Sequence, residues 1–407
     1  MLAVLSTAQI AGGIGTAVGF ALSSLVVAQL SGSVAISGLA GTATVLGAAL
    51  MALPTARTSG RGGRRAGLTL AYGCALLGCL VAVTAITVRS WPLLLAGLVL
   101  FGGAGAGNLA SRYSATDLSP PGHSARHLSW VVWASTIGSV AGPNLAEPAE
   151  RLGRLLGLAP GAGPFVLALL AFLTALAVIA TGLRPDPLLV ARSVAGSAQG
   201  VPPAAAPEKA AGGRKGTLRT AWHALREAPA ASRALAAIAV SHTAMVSIMS
   251  MTPVHLNHGG ATYTVIGIVI SLHIAGMYIL SPVVGWLADR IGRVRVLVLG
   301  MGLLLAAAVL AGGAGTQDVA RVTAGLALLG AGWSCGLIAG SAMLSEAVGL
   351  EHRPAVQGLS DLLMNVCGAA GTVVAGVIVG ALSYGVLGTA VAVMVTVTGA
   401  WLALRRA

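Results

Sequence analysis

"GWLADRIGR", residues 285–293, is a short charged stretch set between two long apolar runs. Gly285 has no side chain and lets two helices touch. Asp289 can sit at a helix N-terminus, where the peptide dipoles favour an anion, and Arg290 and Arg293 can bind carboxylates or lipid phosphates. The spacing returns in "ARTSGRGGRR", residues 56–65, where Arg61, Gly63 and Arg64 match Arg290, Gly292 and Arg293, with Gly60 in the position of the acid. One copy lies between the second and third apolar runs and the other between the eighth and ninth, so the chain reads as two related halves.

The apolar runs set the class. Of 407 residues, 56% are hydrophobic and 9% charged, with a mean hydropathy of +0.88, which no water-soluble domain of this size tolerates on its surface. Runs of about 20 residues, the length a bilayer-crossing helix needs, recur twelve times, at roughly 6–28, 33–54, 67–87, 91–111, 128–147, 163–183, 234–254, 262–284, 296–314, 320–344, 357–381 and 384–403. The expectation is an all-α, polytopic membrane protein with twelve transmembrane helices. Its 57 glycines suit helices that approach closely in lipid. Cys74, Cys79, Cys335 and Cys367 fall within spans, where small apolar packing is expected rather than disulfides.

Charge sets the orientation. With the N-terminus inside, the inner segments hold Arg57, Arg61, Arg64, Arg65, Arg112, Arg126, the basic residues from Arg184 to Arg233, Arg290, Arg293, Arg295, Arg353, Arg405 and Arg406. Only Arg89, Arg151, Arg154 and Arg321 fall outside. The positive-inside rule therefore puts both termini in the cytoplasm, with the chain multi-pass in a cytoplasmic (plasma) membrane. The net charge of +13 is a signal of topology and of anionic lipid, and no nucleic-acid module accompanies it. "MLAVLSTAQIAGG" lacks the basic region of a signal peptide and reads as an uncleaved first helix. Without a Walker loop, a G-x-S-x-G or an H-E-x-x-H, neither ATP coupling nor enzyme chemistry is expected, and no cofactor.

Two six-helix halves, 1–183 and 234–407, flank a segment from 184 to 233 that is rich in Ala, Pro and Gly and reads as a flexible cytoplasmic linker. "GAG" at 103–105 recurs at 330–332, and Arg126 recurs as Arg353 at the same offset. This layout of parallel repeats resembles the major facilitator superfamily, and Gly285, Asp289, Arg290, Gly292 and Arg293 match its G-x-x-x-D-R-x-G-R loop. The resemblance implies alternating access between the halves, with those five residues as a gate. In the fifth span Gly138, Gly142 and Pro143 resemble a motif of facilitator antiporters, although Asn144 and Leu145 depart from it; a plain packing role stands beside that reading.

Met245, Met249, Met251 and Met277, with His242, His255, His258 and His273, gather between residues 242 and 277. Met245 and Met249 lie one turn apart on one face of the seventh span, and His273 and Met277 share the same spacing on the eighth. Thioethers and an imidazole with no carboxylate or thiolate among them suit cuprous copper better than zinc. The set resembles the copper-importing CcoA-like branch of the superfamily, which implies copper uptake through Met245, Met249, His273 and Met277, with copper as cargo. His255 and His258 are candidates for gathering metal at the outer mouth. Ordinary packing of methionines in membrane helices is the bland alternative.

Asp361, an ionisable group within the eleventh span, is the candidate for carrying a coupling proton or balancing the charge of a bound cation, or else pairs with Arg353 near the cytoplasmic end. Asp117 and Glu346 are expected to form ion pairs with Arg112, Arg126 or Arg353. The alternative to copper uptake is proton-coupled export of drugs or secondary metabolites by an antiporter. The partners expected are a small solute or copper ion and membrane lipids, for a monomer.

Overall fold

A computed structural model describes residues 1–198 and 214–404, whose regular structure is helical throughout. Most of "PEKAAGGRKG" and the basic Arg405 and Arg406 lie outside the described residues. In the first part of the chain the helices are α1 (Leu2–Ser31), α2 (Val34–Ser37), α3 (Leu39–Thr87), α4 (Trp91–Phe101), α5 (Gly103–Ser114), α6 (Ser124–Asn144), α7 (Ala146–Leu155), α8 (Gly163–Gly182) and α9 (Pro187–Ala198). After the gap come α10 (Arg214–Glu227), α11 (Pro229–His258), α12 (Tyr263–Tyr278), α13 (Ser281–Ile291), α14 (Arg293–Gly312), α15 (Val319–Glu346), α16 (Arg353–Ala381) and α17 (Tyr384–Leu404).

Ten stretches among the described residues are long and apolar enough to cross a bilayer. One of them, Leu39–Thr87, holds two spans joined at a break at Gly63. The fifth span, α6, is not among the ten; Arg126, His127 and Asn144 lower its hydropathy, although its 21 residues are long enough. Dividing the first and adding the second gives the twelve spans expected of the sequence. The break at Gly63 (φ 85°, ψ 173°) and the turn at Gly292 (φ 97°, ψ 149°) occupy matching places in the two charged loops. Side chains other than glycine's rarely adopt that backbone, which explains why the repeated loop keeps a glycine there.

Two compact units emerge from the contacts. One comprises Met1–Leu118, Ala134–Ala224 and Gly349–Asn365; the other comprises Ser119–Trp133, Leu225–Val348 and Val366–Ala407. In the first, α3 packs along α4, α5 and α8, and α1 along α8. The crossings are set by glycines: a Cβ on Gly78 or Gly102 would collide with the backbone at Leu100 or Gly47, 2.8 and 2.9 Å away. In the second, α15 packs against α11, α12 and α14, while α17 lies on α14, where Gly312 and Gly388 touch backbone to backbone. Small residues at such crossings let van der Waals contact and Cα–H···O bonds replace the hydrophobic drive that lipid does not provide. Val373, Val377 and Val397 turn outward, 67%, 65% and 64% exposed, as expected of a surface solvated by acyl chains.

The segment read as a linker is helical at both described flanks, α9 and α10. Its Ala-rich composition hid this, because alanine favours helix while the intervening Pro and Gly signal loop. Asp186 caps α9 by accepting from the Leu188 amide at 3.1 Å, and its other carboxylate oxygen accepts from the Arg65 amide at 2.8 Å. Arg192 donates to the Gly60 carbonyl at 2.8 Å. The start of the linker is thereby bound to the first charged loop. All four cysteines are free thiols.

Candidate functional site

The second charged loop is organised around Asp289. Its two oxygens accept from the amides of Ala125 (3.2 Å) and Arg126 (2.9 Å), so the carboxylate caps the N-terminus of α6. Two unsatisfied helix donors and a positive dipole end meet one anion there. Arg293 bonds Asp289 at 2.8 Å and reaches Glu346 at 2.7 Å, while Arg290 stacks over the Trp286 ring at 5.0 Å. Gly285 lies against Ser129 and Ala125, whose carbonyl would stand 2.7 Å from an added Cβ. Gly292 supplies the turn that returns Arg293 to Asp289. The partner of Glu346 is Arg293, and not one of the three arginines expected from the sequence.

The first unit holds a different solution. Gly60 stands close to Pro354 at the start of α16, its would-be Cβ 3.7 Å from the proline Cβ. The loop instead reaches α16 through Arg64, which pairs with Asp117 at 2.6 and 3.0 Å and donates to Gln357 at 2.7 Å. One helix turn further along α16, Asp361 pairs with Arg112 of α5 at 2.9 Å, and the two side chains are 4% and 3% exposed. Arg112 also lies over the Tyr113 ring (4.6 Å), and the Tyr113 hydroxyl donates to Ser360 at 3.2 Å. Asp361 thus pairs with Arg112 rather than with Arg353, and Asp117 with Arg64. Sequence reasoning places Arg112 in an inner segment, one residue past the fourth apolar run. The signal that could have found it is the apolar context itself, since a buried acid demands a buried base and Arg112 directly follows an apolar run.

Beside this pair runs an uncharged polar chain. Gln9 donates to Ser135 at 2.9 Å and accepts from Ser111; Tyr72 donates to Asn108 at 2.7 Å, and Asn108 donates to Thr16 at 3.3 Å. These groups come from α1, α3, α5 and α6, all in the first unit. The neighbouring antiporter-like residues pack α6 on α1: Gly138 meets the Gly13 backbone, 2.8 Å from a would-be Cβ, and Gly142 meets Ala17. The side chain of Pro143 lies outside the described ones.

The methionine and histidine set flanks α15. His273 is wholly buried, with Nδ1 bonded to the Leu326 carbonyl at 2.8 Å and a buried Nε2 that has no hydrogen-bond partner among the described residues. A Cβ on Gly330 would come within 2.8 Å of the Met277 amide, so α12 presses against α15 at this level. Met245 is 4% exposed and Met277 8%; Met249 is half-buried. The helix that carries Met245 and Met249, α11, also packs on α15, with Ser241 against Gly336, and it touches α12 only slightly. The Met245/Met249 and His273/Met277 pairs thus lie on two helices that both pack on α15. His255 stacks on the Tyr384 ring (4.3 Å, 19°), whose hydroxyl is 2.8 Å from the Thr252 hydroxyl. His258 is exposed at the end of α11. No three His, Cys, Asp or Glu side chains among the described residues come together as a metal site.

The same region holds an aromatic cluster that the sequence reading did not single out. Trp333 of α15 donates to His242 Nδ1 at 3.1 Å and packs edge-on against Tyr278 at 5.8 Å, and it is 5% exposed. Nε2 of His242 faces Gly368.

A bundle of membrane-crossing helices with duplicated charged loops, buried ion pairs and polar side chains inside the spans is that of a transporter, not an enzyme. The chain belongs to the major facilitator superfamily, whose family model matches residues 4–259 and 234–407. It is 36% identical over 383 residues to the uncharacterized MFS-type transporter YdeG of Bacillus subtilis, covering 94% of this chain and 86% of that one. It is 27% identical over 377 residues to the riboflavin transporter RfnT of Brucella anthropi, covering 89% and 85%. The human organic anion transporter MFSD10 (TETRAN) shares the fold with a TM-score of 0.74 at 17% identity, covering 98% of each chain. The chain is thus a multi-pass membrane transporter of small solutes. The narrower resemblance to copper importers finds no counterpart among these relatives.

Proposed function

We propose that the chain is a secondary transporter of a small organic solute, working by alternating access and driven by protons, in a cytoplasmic membrane with both termini inside. The observation that carries this reading is the buried Arg112–Asp361 pair. It joins a helix of the first sequence half to one of the second, and protonation of Asp361 removes the charge that holds Arg112. A buried ion pair is costly to maintain and costly to break one-sidedly, which makes it an apt element for coupling a proton to a conformational step. What supports an organic solute is the chemistry of the polar groups inside the spans of each unit taken by itself: neutral donors and acceptors from Gln9, Asn108, Ser111 and Ser135 in the first, and the Trp333, Tyr278 and His242 cluster in the second. Such groups suit a planar ring with hydrogen-bonding edges. Riboflavin has that chemistry and is named for one of the relatives, so it is the first probe.

The test is flux of riboflavin in proteoliposomes under an imposed proton gradient, with flux in either direction counting. Gradient-dependent flux that a protonophore abolishes, and that Asp361→Asn reduces at least tenfold while riboflavin still quenches tryptophan fluorescence, is the expected result. Flux unaffected by the gradient would refute the coupling, and absence of both quenching and flux would refute a flavin-like solute.

Copper uptake through Met245, Met249, His273 and Met277 is kept as a second reading by one observation, the buried Nε2 of His273 without a partner. A soft ion is the guest that imidazole and thioethers would accept.

A further inference from the structure

A cavity of about 550 Å³ opens at the basic end of the second span. It is lined by Leu53, Pro54, Arg57, Thr58, Arg61 and Gly62 of α3 and by Thr217 of α10, with no acid lining it among the described residues. The α3 residues form one strip. Leu53, Arg57 and Arg61 follow at intervals of four, so they stack along one face of the helix, with Pro54 and Thr58 one position further round. Along that strip the chemistry changes from apolar (Leu53, Pro54) to polar and cationic (Arg57, Thr58, Arg61), as a lipid changes from glycerol and acyl chain to phosphate. Arg57 forms no ion pair with a described residue.

The opposite wall supports the same occupant. In α10, Ala221, Ala224 and Leu225 are buried, while Arg219, Trp222 and Arg226 face outward, with Trp222 58% exposed. An amphipathic helix with a tryptophan between arginines is the pattern of a segment lying in the headgroup layer. A helix lying in that layer would set the cavity at the depth of lipid phosphate, and two arginines suit that group in charge and in geometry.

We propose that this cavity binds the phosphodiester headgroup of an anionic phospholipid, with Arg57 and Arg61 on the phosphate, the hydroxyls of Thr58 and Thr217 beside it, and Leu53 and Pro54 against the glycerol end. A lipid so placed ties α10, at the end of the linker, to the first charged loop. The proposal rests on the membrane-spanning fold and is independent of which solute is carried.

The experiment is a lipid titration of the purified full chain, read by native mass spectrometry, with phosphatidylglycerol, phosphatidylcholine and inorganic phosphate as probes. Wild type is expected to retain phosphatidylglycerol in preference to phosphatidylcholine. In the double variant Arg57→Gln, Arg61→Gln its affinity should fall on the order of 30-fold, from the loss of two cationic contacts. Arg57→Lys, Arg61→Lys keeps the charge without the guanidinium fork and should fall between the two; it also serves if the glutamine variant fails to fold. Arg154→Gln, at an exposed site on α7 far along the sequence, should leave affinity unchanged. Equal retention of phosphatidylglycerol by wild type and both double variants would overturn the site. Equal retention of phosphatidylcholine would overturn the charge argument, and displacement of the lipid by inorganic phosphate alone would overturn the lipid as occupant.

Discussion

Two residues with similar burial have opposite status. Asp361 has its charge matched by Arg112 at 2.9 Å, whereas His273 uses one ring nitrogen on a carbonyl and leaves the other buried without a bond among the described residues. A buried polar atom left without a partner costs about 1–3 kcal/mol, so the His273 nitrogen is the place where an added ligand would gain most. The copper reading is checked there by measuring cellular copper in cells that lack their own importer. If copper is cargo, Met245→Ala with His273→Ala should return accumulation to the level of the empty host, and His273→Asn alone should lower it severalfold. Equal copper in all strains would end that reading. The residue scale is also where the sequence was least legible. Its candidates were chosen by spacing along single helices, and the partner of Asp361 lies 249 positions away. The His242–Trp333 bond, across 91 positions, was hidden for the same reason.

At the scale of elements, the chain's glycines act in two different ways. Gly63 and Gly292 are conformational: both sit at positive φ in the charged loops. Gly138 and Gly142 are steric, holding α6 against Gly13 and Ala17 of α1. The antiporter-like motif of the fifth span is, in this structure, a helix-crossing surface. Gly138→Leu should therefore force α1 and α6 apart and cost about 1–3 kcal/mol from overpacking. The check is the thermal midpoint of the purified chain, expected to fall by several degrees, with Gly302→Ala, whose added Cβ meets nothing within 4 Å, left unchanged. A fall of equal size in both would mean that the crossing has no special role. The spans were legible from hydropathy because lipid demands a continuous apolar run from any helix that crosses it. The fifth span was read correctly despite its polar residues. The helices of the linker were not, since composition alone does not distinguish an Ala-rich helix from an Ala-rich coil.

At the scale of the whole molecule the two charged loops are unequal. Asp289 caps α6 and draws in Arg293 and Glu346, whereas the first loop has Gly60 in the acid's place and reaches α16 by the Arg64–Gln357 bond instead. The compact units cross the sequence halves accordingly. Ser119–Trp133 groups with helices of the second half, and Gly349–Asn365 with those of the first. Alternating access requires such held segments to be released. Gly60→Asp, whose Cβ would meet Pro354 at an ordinary 3.7 Å, should add an anion at the N-terminus of α16, worth about 0.3–1 kcal/mol. The expected outcome is a higher thermal midpoint together with slower solute flux. Faster flux at unchanged stability would show that the missing acid is not a relaxed gate.

The sequence by itself determined the class, the twelve spans and the duplicated loop, because all three are encoded locally: hydropathy over about 20 residues and a glycine-containing spacing that recurs. Only the tertiary structure decided which charges meet. Arg64 with Asp117 and Gln357, Arg112 with Asp361, and Trp333 with His242 are pairs between distant segments. In an apolar interior each buried charge must find its counter-charge wherever helix packing brings one, and that depends on crossings that no single stretch of chain contains.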